Sequence, residues 1–233
     1  MSTSLEGHTL RHFDGELYQL HIELLRMARI VFSQLQMALD SFQRQDPEDA
    51  RAMNEVEYQV NSLEKRIDSA IAEVLAKRCP VARDLRVIMA FSKGVTDLER
   101  IGDEAARVAR ISMNIYHNEH SNPGSYLLHD IAVMGKLASA SLKEAIGILE
   151  VLDQNRATKF LSSHNELNEE FSASLRRLTT YVLEDTRNMG HVFNIVLILK
   201  SLERIGDYAR NLAEYVVYMV SGEDIRHIES GEA

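Results

Sequence analysis

Two copies of one six-residue string place acids where a cation could sit. Leu98-Glu99-Arg100-Ile101-Gly102-Asp103 and Leu202-Glu203-Arg204-Ile205-Gly206-Asp207 are identical and lie 104 positions apart. In a helix, residues four apart share a face, so Glu99 stacks on Asp103 and Glu203 on Asp207. Like charges at that spacing cost roughly 0.2–0.5 kcal/mol unless something offsets them. Nearby arginines offer one offset, Arg107 for Asp103 and Arg210 for Asp207, which would leave an ordinary solvated face. A divalent cation is the sharper alternative, because oxygen ligands one helical turn apart suit Mg²⁺, Mn²⁺ or iron. One copy alone favours the solvated face; two copies at equivalent points favour the cation.

The surroundings of each motif carry further polar residues. Gly102 and Gly206 lie inside helical patterns, where glycine costs about 1 kcal/mol relative to alanine. Close approach of a neighbouring helix is the expected reason. Upstream, Glu57, Asn61, Glu64 and Asp68 step by four, three and four along one helix face, although Lys65 and Arg66 beside them suit a wet surface. In the second half the corresponding stretch presents His164 and Asn168. His164 falls on the apolar stripe, where a hydrogen-bonded core histidine is the commoner outcome.

Long helices must position these groups. Leu17, Leu20, Leu24, Met27, Val31, Leu35 and Ala38 recur every three or four residues, the seam of a helix packed at shallow angles. Asp46-Pro47-Glu48 closes it. A second seam runs from Val56 to Val74 and stops at Cys79-Pro80; a third starts near Arg83-Asp84 and runs to Val108. His117 to Gly124 reads as a loop. Three more helices are then expected: Leu127 to Leu152, Phe160 to Val182 through His164 and Leu167, and Phe193 to Val216. Because the repeated string falls in the third helix of each half, the fold class is expected to be all-α, two tandem three-helix bundles related by duplication. The expected boundaries are 8–118, 123–221 and a tail at 222–233.

Composition narrows the function. The 233-residue chain has a formal net charge of −9, which disfavours nucleic-acid phosphates and unaided docking on anionic lipid. Cys79 is the only cysteine, so no internal disulfide forms. Beside Pro80 it reads as a small filler at a helix end. The N-terminal residues lack the basic and apolar regions of a signal peptide, and no apolar run approaches the roughly 18 residues that span a bilayer. A cytoplasmic location is therefore expected. Carboxylate-bridged metal oxidases need a Glu-x-x-His pair, and none of the nine histidines has a glutamate three residues earlier. No P-loop or Gly-x-Ser-x-Gly string occurs either. An enzyme is not expected; a metal-independent helical scaffold is the plainer alternative to a regulator.

Taken in order, these strings resemble the PhoU family. The resemblance rests on Glu57-Tyr-Gln-Val-Asn61-Ser-Leu-Glu64, on Ala76-Lys-Arg-Cys-Pro80-Val-Ala-Arg-Asp84-Leu-Arg86, and on both copies of Leu-Glu-Arg-Ile-Gly-Asp. Thr180-Tyr-Val-Leu-Glu-Asp185 and Gly222-Glu-Asp-Ile-Arg-His227 continue it, so that it covers residues 8–228. It implies a homodimer of paired three-helix bundles that restrains the phosphate-starvation response. Such a protein works at the cytoplasmic membrane face, between the ATP-binding subunit of a phosphate ABC transporter and a sensor histidine kinase. The resemblance also implies multinuclear sites for a divalent or trivalent ion (Mg, Mn, Fe or Zn). By its pattern the first site would use Glu57, Asn61, Glu99 and Asp103, and the second His164, Asn168, Glu203 and Asp207. His164 and Asn168 depart from the Asp pair common in the family, so the second site would carry less negative charge.

Overall fold

The computed structural model describes residues 11–44, 49–117, 125–163, 166–186 and 189–225. Those residues form seven helices and no strand: α1 (Arg11–Arg44), α2 (Asp49–Arg78), α3 (Ala82–His117), α4 (Ser125–Val151), α5 (Gln154–Ser162), α6 (Glu166–Glu184) and α7 (Met189–Ser221). The two loop readings, Asp46 to Glu48 and most of His117 to Gly124, lie outside the described residues.

Each seam becomes a buried stripe. Leu24, Met27, Val31 and Leu35 of α1 meet Ile67 of α2 and Ile88, Phe91, Leu98 and Ile101 of α3 with essentially no exposure. The second bundle repeats this with Ile131, Met134 and Leu142 of α4 against Ile195, Leu199, Leu202 and Ile205 of α7. Burial of such side chains contributes about 1.5–3 kcal/mol each against a large entropic cost. Leu24 and Leu212 both pack on Gly94, so α3 is sandwiched between α1 and α7. The two motif helices, α3 and α7, make the most extensive helix pair in the chain. Further ties join the halves: the buried His21 ring stacks on Phe91 at 5.7 Å and places Nε2 2.8 Å from the Leu149 carbonyl oxygen of α4. Burial holds the His21 pKa below its usual value.

Two local readings need correction. The segment expected as one helix from Phe160 to Val182 is two, α5 and α6, and α5 starts earlier, capped by the Asp153 carboxylate accepting from the Arg156 N–H at 3.0 Å. At its end the Ser163 N–H donates to the Lys159 and Phe160 carbonyls, and the Ser162 and Ser163 hydroxyls donate to those same two groups. The added bond to Phe160 is the three-residue kind that tightens a last helical turn. Cys79 is exposed rather than a filler, with a left-handed φ of 46°. Its N–H bonds the Leu75 carbonyl at 3.2 Å, ending α2 before Pro80.

Candidate metal centre and inter-repeat seam

The repeated string divides its side chains three ways. Leu98 and Ile101, like Leu202 and Ile205, point into the two cores. The arginines lean across the seam between α3 and α7. Arg204 Nη1 donates to Glu104 Oε1 at 2.7 Å, and Arg100 lies 5.8 Å from the centre of the Tyr208 ring. Tyr208 is the repeat counterpart of Glu104, so these are one contact seen from each half. Arg100 also donates to Asp97, whose buried carboxylate accepts from Tyr215 Oη at 2.8 Å and Asn211 Nδ2 at 3.0 Å. The seam is therefore polar, with Asp97 as its main acceptor.

With the arginines engaged there, the carboxylates are left on the other side, toward α2 and α6. Gly102 makes the first approach possible: a Cβ there would stand 3.0 Å from Gln34 Oε1 and 3.5 Å from Val60 Cγ1. Gln34 is wholly buried, and neither of its amide atoms has a partner among the described residues. Val60 against Gly102 sets the antiparallel register of α2 on α3. It brings Glu64 within electrostatic reach of Glu99 and Asp103, with Asn61 and Glu57 one and two turns before it on α2. The electrostatics follow this register. Glu99 is pushed up to about 7, first by burial, then by the charges of Asp103 and Glu64, with Asp103 also its hydrogen-bond partner. Glu64 is raised by burial and by Asp68 and Asp103.

The ordinary ion pairs expected for the motif aspartates are not formed. Arg107 turns to Glu104 at 4.0 Å, and Arg210 to Glu214 at 3.1 Å. In the second half the Lys200 ammonium closes on Glu203 Oε2, a charge contact rather than an aligned hydrogen bond. Asp207 is raised by burial and then by Glu203, opposed by Lys200, Arg210 and Arg204. Asn168 is exposed on α6, and His164 lies outside the described residues.

Glu64, Glu99 and Asp103 act on one another electrostatically. The step of four, three and four along α2 already singles out Glu64 with Glu57 and Asn61. Among the described residues no three His, Cys, Asp or Glu side chains converge at metal-ligand geometry. The first motif still fits a hard cation in chemistry: oxygen donors only, with one carboxylate driven toward neutrality by its neighbours. A groove of ≈ 380 Å³ between α1 and α2, floored by Leu20, Ile67 and Val74, shares no residue with either motif.

Comparison with known proteins fits this architecture. The PhoU domain family model matches residues 24–112 and 131–216. A phosphate-specific transport system accessory protein PhoU homolog of Pseudomonas aeruginosa is 38% identical over 225 residues, 97% of this chain and 92% of that protein. The phosphate-specific transport system accessory protein PhoU of Escherichia coli is 31% identical over 231 residues, 99% of this chain and 94% of that one. The crystal structure of PhoU from Pseudomonas aeruginosa superposes with a TM-score of 0.84 at 36% identity, covering 91% of this chain and 100% of that one. The PhoU crystal structure from Streptococcus pneumoniae, 23% identical with a TM-score of 0.81, covers 91% and 99% and shares the fold.

Proposed function

The chain belongs to the PhoU family, and on that premise we propose that it regulates phosphate uptake and represses the phosphate-starvation regulon. The observation that carries this reading is end-to-end similarity to phosphate-specific transport system accessory proteins. In this reading the protein is a cytoplasmic homodimer. It relays the state of the phosphate ABC transporter, through its ATP-binding subunit, to a sensor histidine kinase. It acts by binding, not by catalysis. Among the described residues no helix is long and apolar enough to cross a membrane, so contact with the bilayer would run through partners. The acidic net charge supports a protein partner over nucleic acid.

A bound metal ion would supply positive charge on the first bundle's outer face. Glu99 and Asp103 of α3 would hold it with Glu64 of α2, and Asn61 and Glu57 lie one and two turns before Glu64 on α2. Binding would also draw α2 and α3 together, since the ligands come from both.

Deletion of the gene, with alkaline phosphatase and phosphate uptake measured in phosphate-rich medium, tests the regulatory reading. Induction of the reporter is expected, and its disappearance when the kinase is also removed. Unchanged reporter activity in the single deletion would sink the reading.

A further inference from the structure

We propose that Lys200 is the resident counter-ion of the second motif, a tethered cation standing where the first motif would take a metal. Lys200 lies three residues before Glu203 on α7, and its ammonium meets Glu203 Oε2. Phe171 of α6 holds it there, with Nζ 5.4 Å from the ring centre. The half-exposed lysine thus reaches a carboxylate that is only 14% exposed. Its counterpart in the first repeat is Thr96, whose hydroxyl donates to the Ser92 carbonyl of its own helix and brings no charge.

The remaining residues widen the difference. Asn168, exposed on α6, brings no charge to the second half. At the first motif no lysine stands at this position, and Arg100 is engaged by Asp97 and Tyr208 in the seam. The second motif has its two carboxylates and a lysine on one of them. A divalent ion entering there would have to displace Lys200 from Glu203 and meet its like charge. The inference rests on the proposed cation at the first motif for its contrast, but Lys200 is tested separately.

The test uses the chelator-treated full-length protein titrated with millimolar Mn²⁺, following melting temperature and, by electron paramagnetic resonance, the free ion. Wild type is expected to bind Mn²⁺ and to lose that binding in Glu99→Ala/Asp103→Ala. In that double-mutant background, Lys200→Met keeps the stem over Phe171 and removes the charge. It should restore Mn²⁺ binding with a rise of roughly 2–4 °C. Adding Glu203→Ala/Asp207→Ala should abolish the restored binding. Lys200→Thr, the first repeat's residue, should behave like Lys200→Met. Two results overturn the proposal: Mn²⁺ binding in Glu99→Ala/Asp103→Ala that depends on Glu203 and Asp207 while Lys200 is present, or no gain from either lysine variant. If wild type binds no Mn²⁺, the first-motif reading fails, while the lysine variants still decide the role of Lys200.

Discussion

Glu99 shows most directly what two carboxylates one turn apart cost when a neighbouring arginine, Arg100, offsets them only in part. Its pKa rises from the usual 4.5 to about 7 because burial and the charges of Asp103 and Glu64 all penalise ionisation. The folded state therefore holds this proton more tightly than the unfolded chain. The stabilisation is complete below about pH 4.5 and is lost as pH rises through 7. Because Glu99 is partly open to screening water, the effect should be about 1 kcal/mol rather than the full shift. Urea unfolding of chelated protein should then show Glu99→Gln to be more stable than wild type at pH 8, with the difference shrinking as pH falls and gone below about pH 4.5. Equal stability at pH 8 would show that the acids do not strain the metal-free fold. The spacing of Glu99 and Asp103 was legible in the sequence; the pairing of Arg107 with Glu104 was not, because an arginine has acids both three and four residues away within its reach.

Helix ends, the next scale up, are decided by single hydrogen bonds that hydrophobic periodicity does not report. The break between α5 and α6 escaped detection because Phe160 and Leu167 are both buried and keep the three-four spacing across it. The end of α7 was legible, since Gly222 follows the last apolar residues. There Gly222 adopts φ +81° and its N–H bonds the Tyr218 carbonyl at 3.0 Å. A Cβ would also stand 3.1 Å from the Arg86 guanidinium carbon, so α3 and the α7 terminus interlock. Gly222→Ala should cost about 1–2 kcal/mol in urea unfolding from the left-handed backbone. Gly190→Ala is the control: its Cβ would meet nothing within 4 Å, and helix propensity should make it neutral or slightly stabilising. Equal effects from the two would rule out a special role for the α7 cap.

At the scale of the molecule, the two bundles share a polar seam. Asp97 is its hub, 3% exposed and accepting from Tyr215, Asn211 and Arg100 across and along the helices. Asp97→Ala would remove the acceptor that Tyr215, Asn211 and Arg100 share, a loss of about 2–3 kcal/mol. The wild type should unfold in one cooperative transition monitored by circular dichroism. Asp97→Ala should move the midpoint to lower urea, and Asp97→Asn, which keeps one acceptor oxygen, should lose less. A change under about 0.5 kcal/mol would mean that apolar packing alone joins the halves.

The sequence by itself determined the all-α class, the stripes that became cores, the duplication and the positions of both acidic motifs. These are local quantities: apolar period and residue identity are properties of single segments, and a repeat is visible by comparing the chain with itself. What depends on which helices lie side by side, and in what register, only the tertiary structure decided. It turned Arg100 and Arg204 into the seam, set Glu64 within electrostatic reach of Glu99, and brought Lys200 onto Glu203 beside Phe171. The reason is geometric: a one-turn slip between neighbouring helices moves a side chain about 5.4 Å, enough to exchange one charge partner for another, yet leaves every apolar stripe facing the same core.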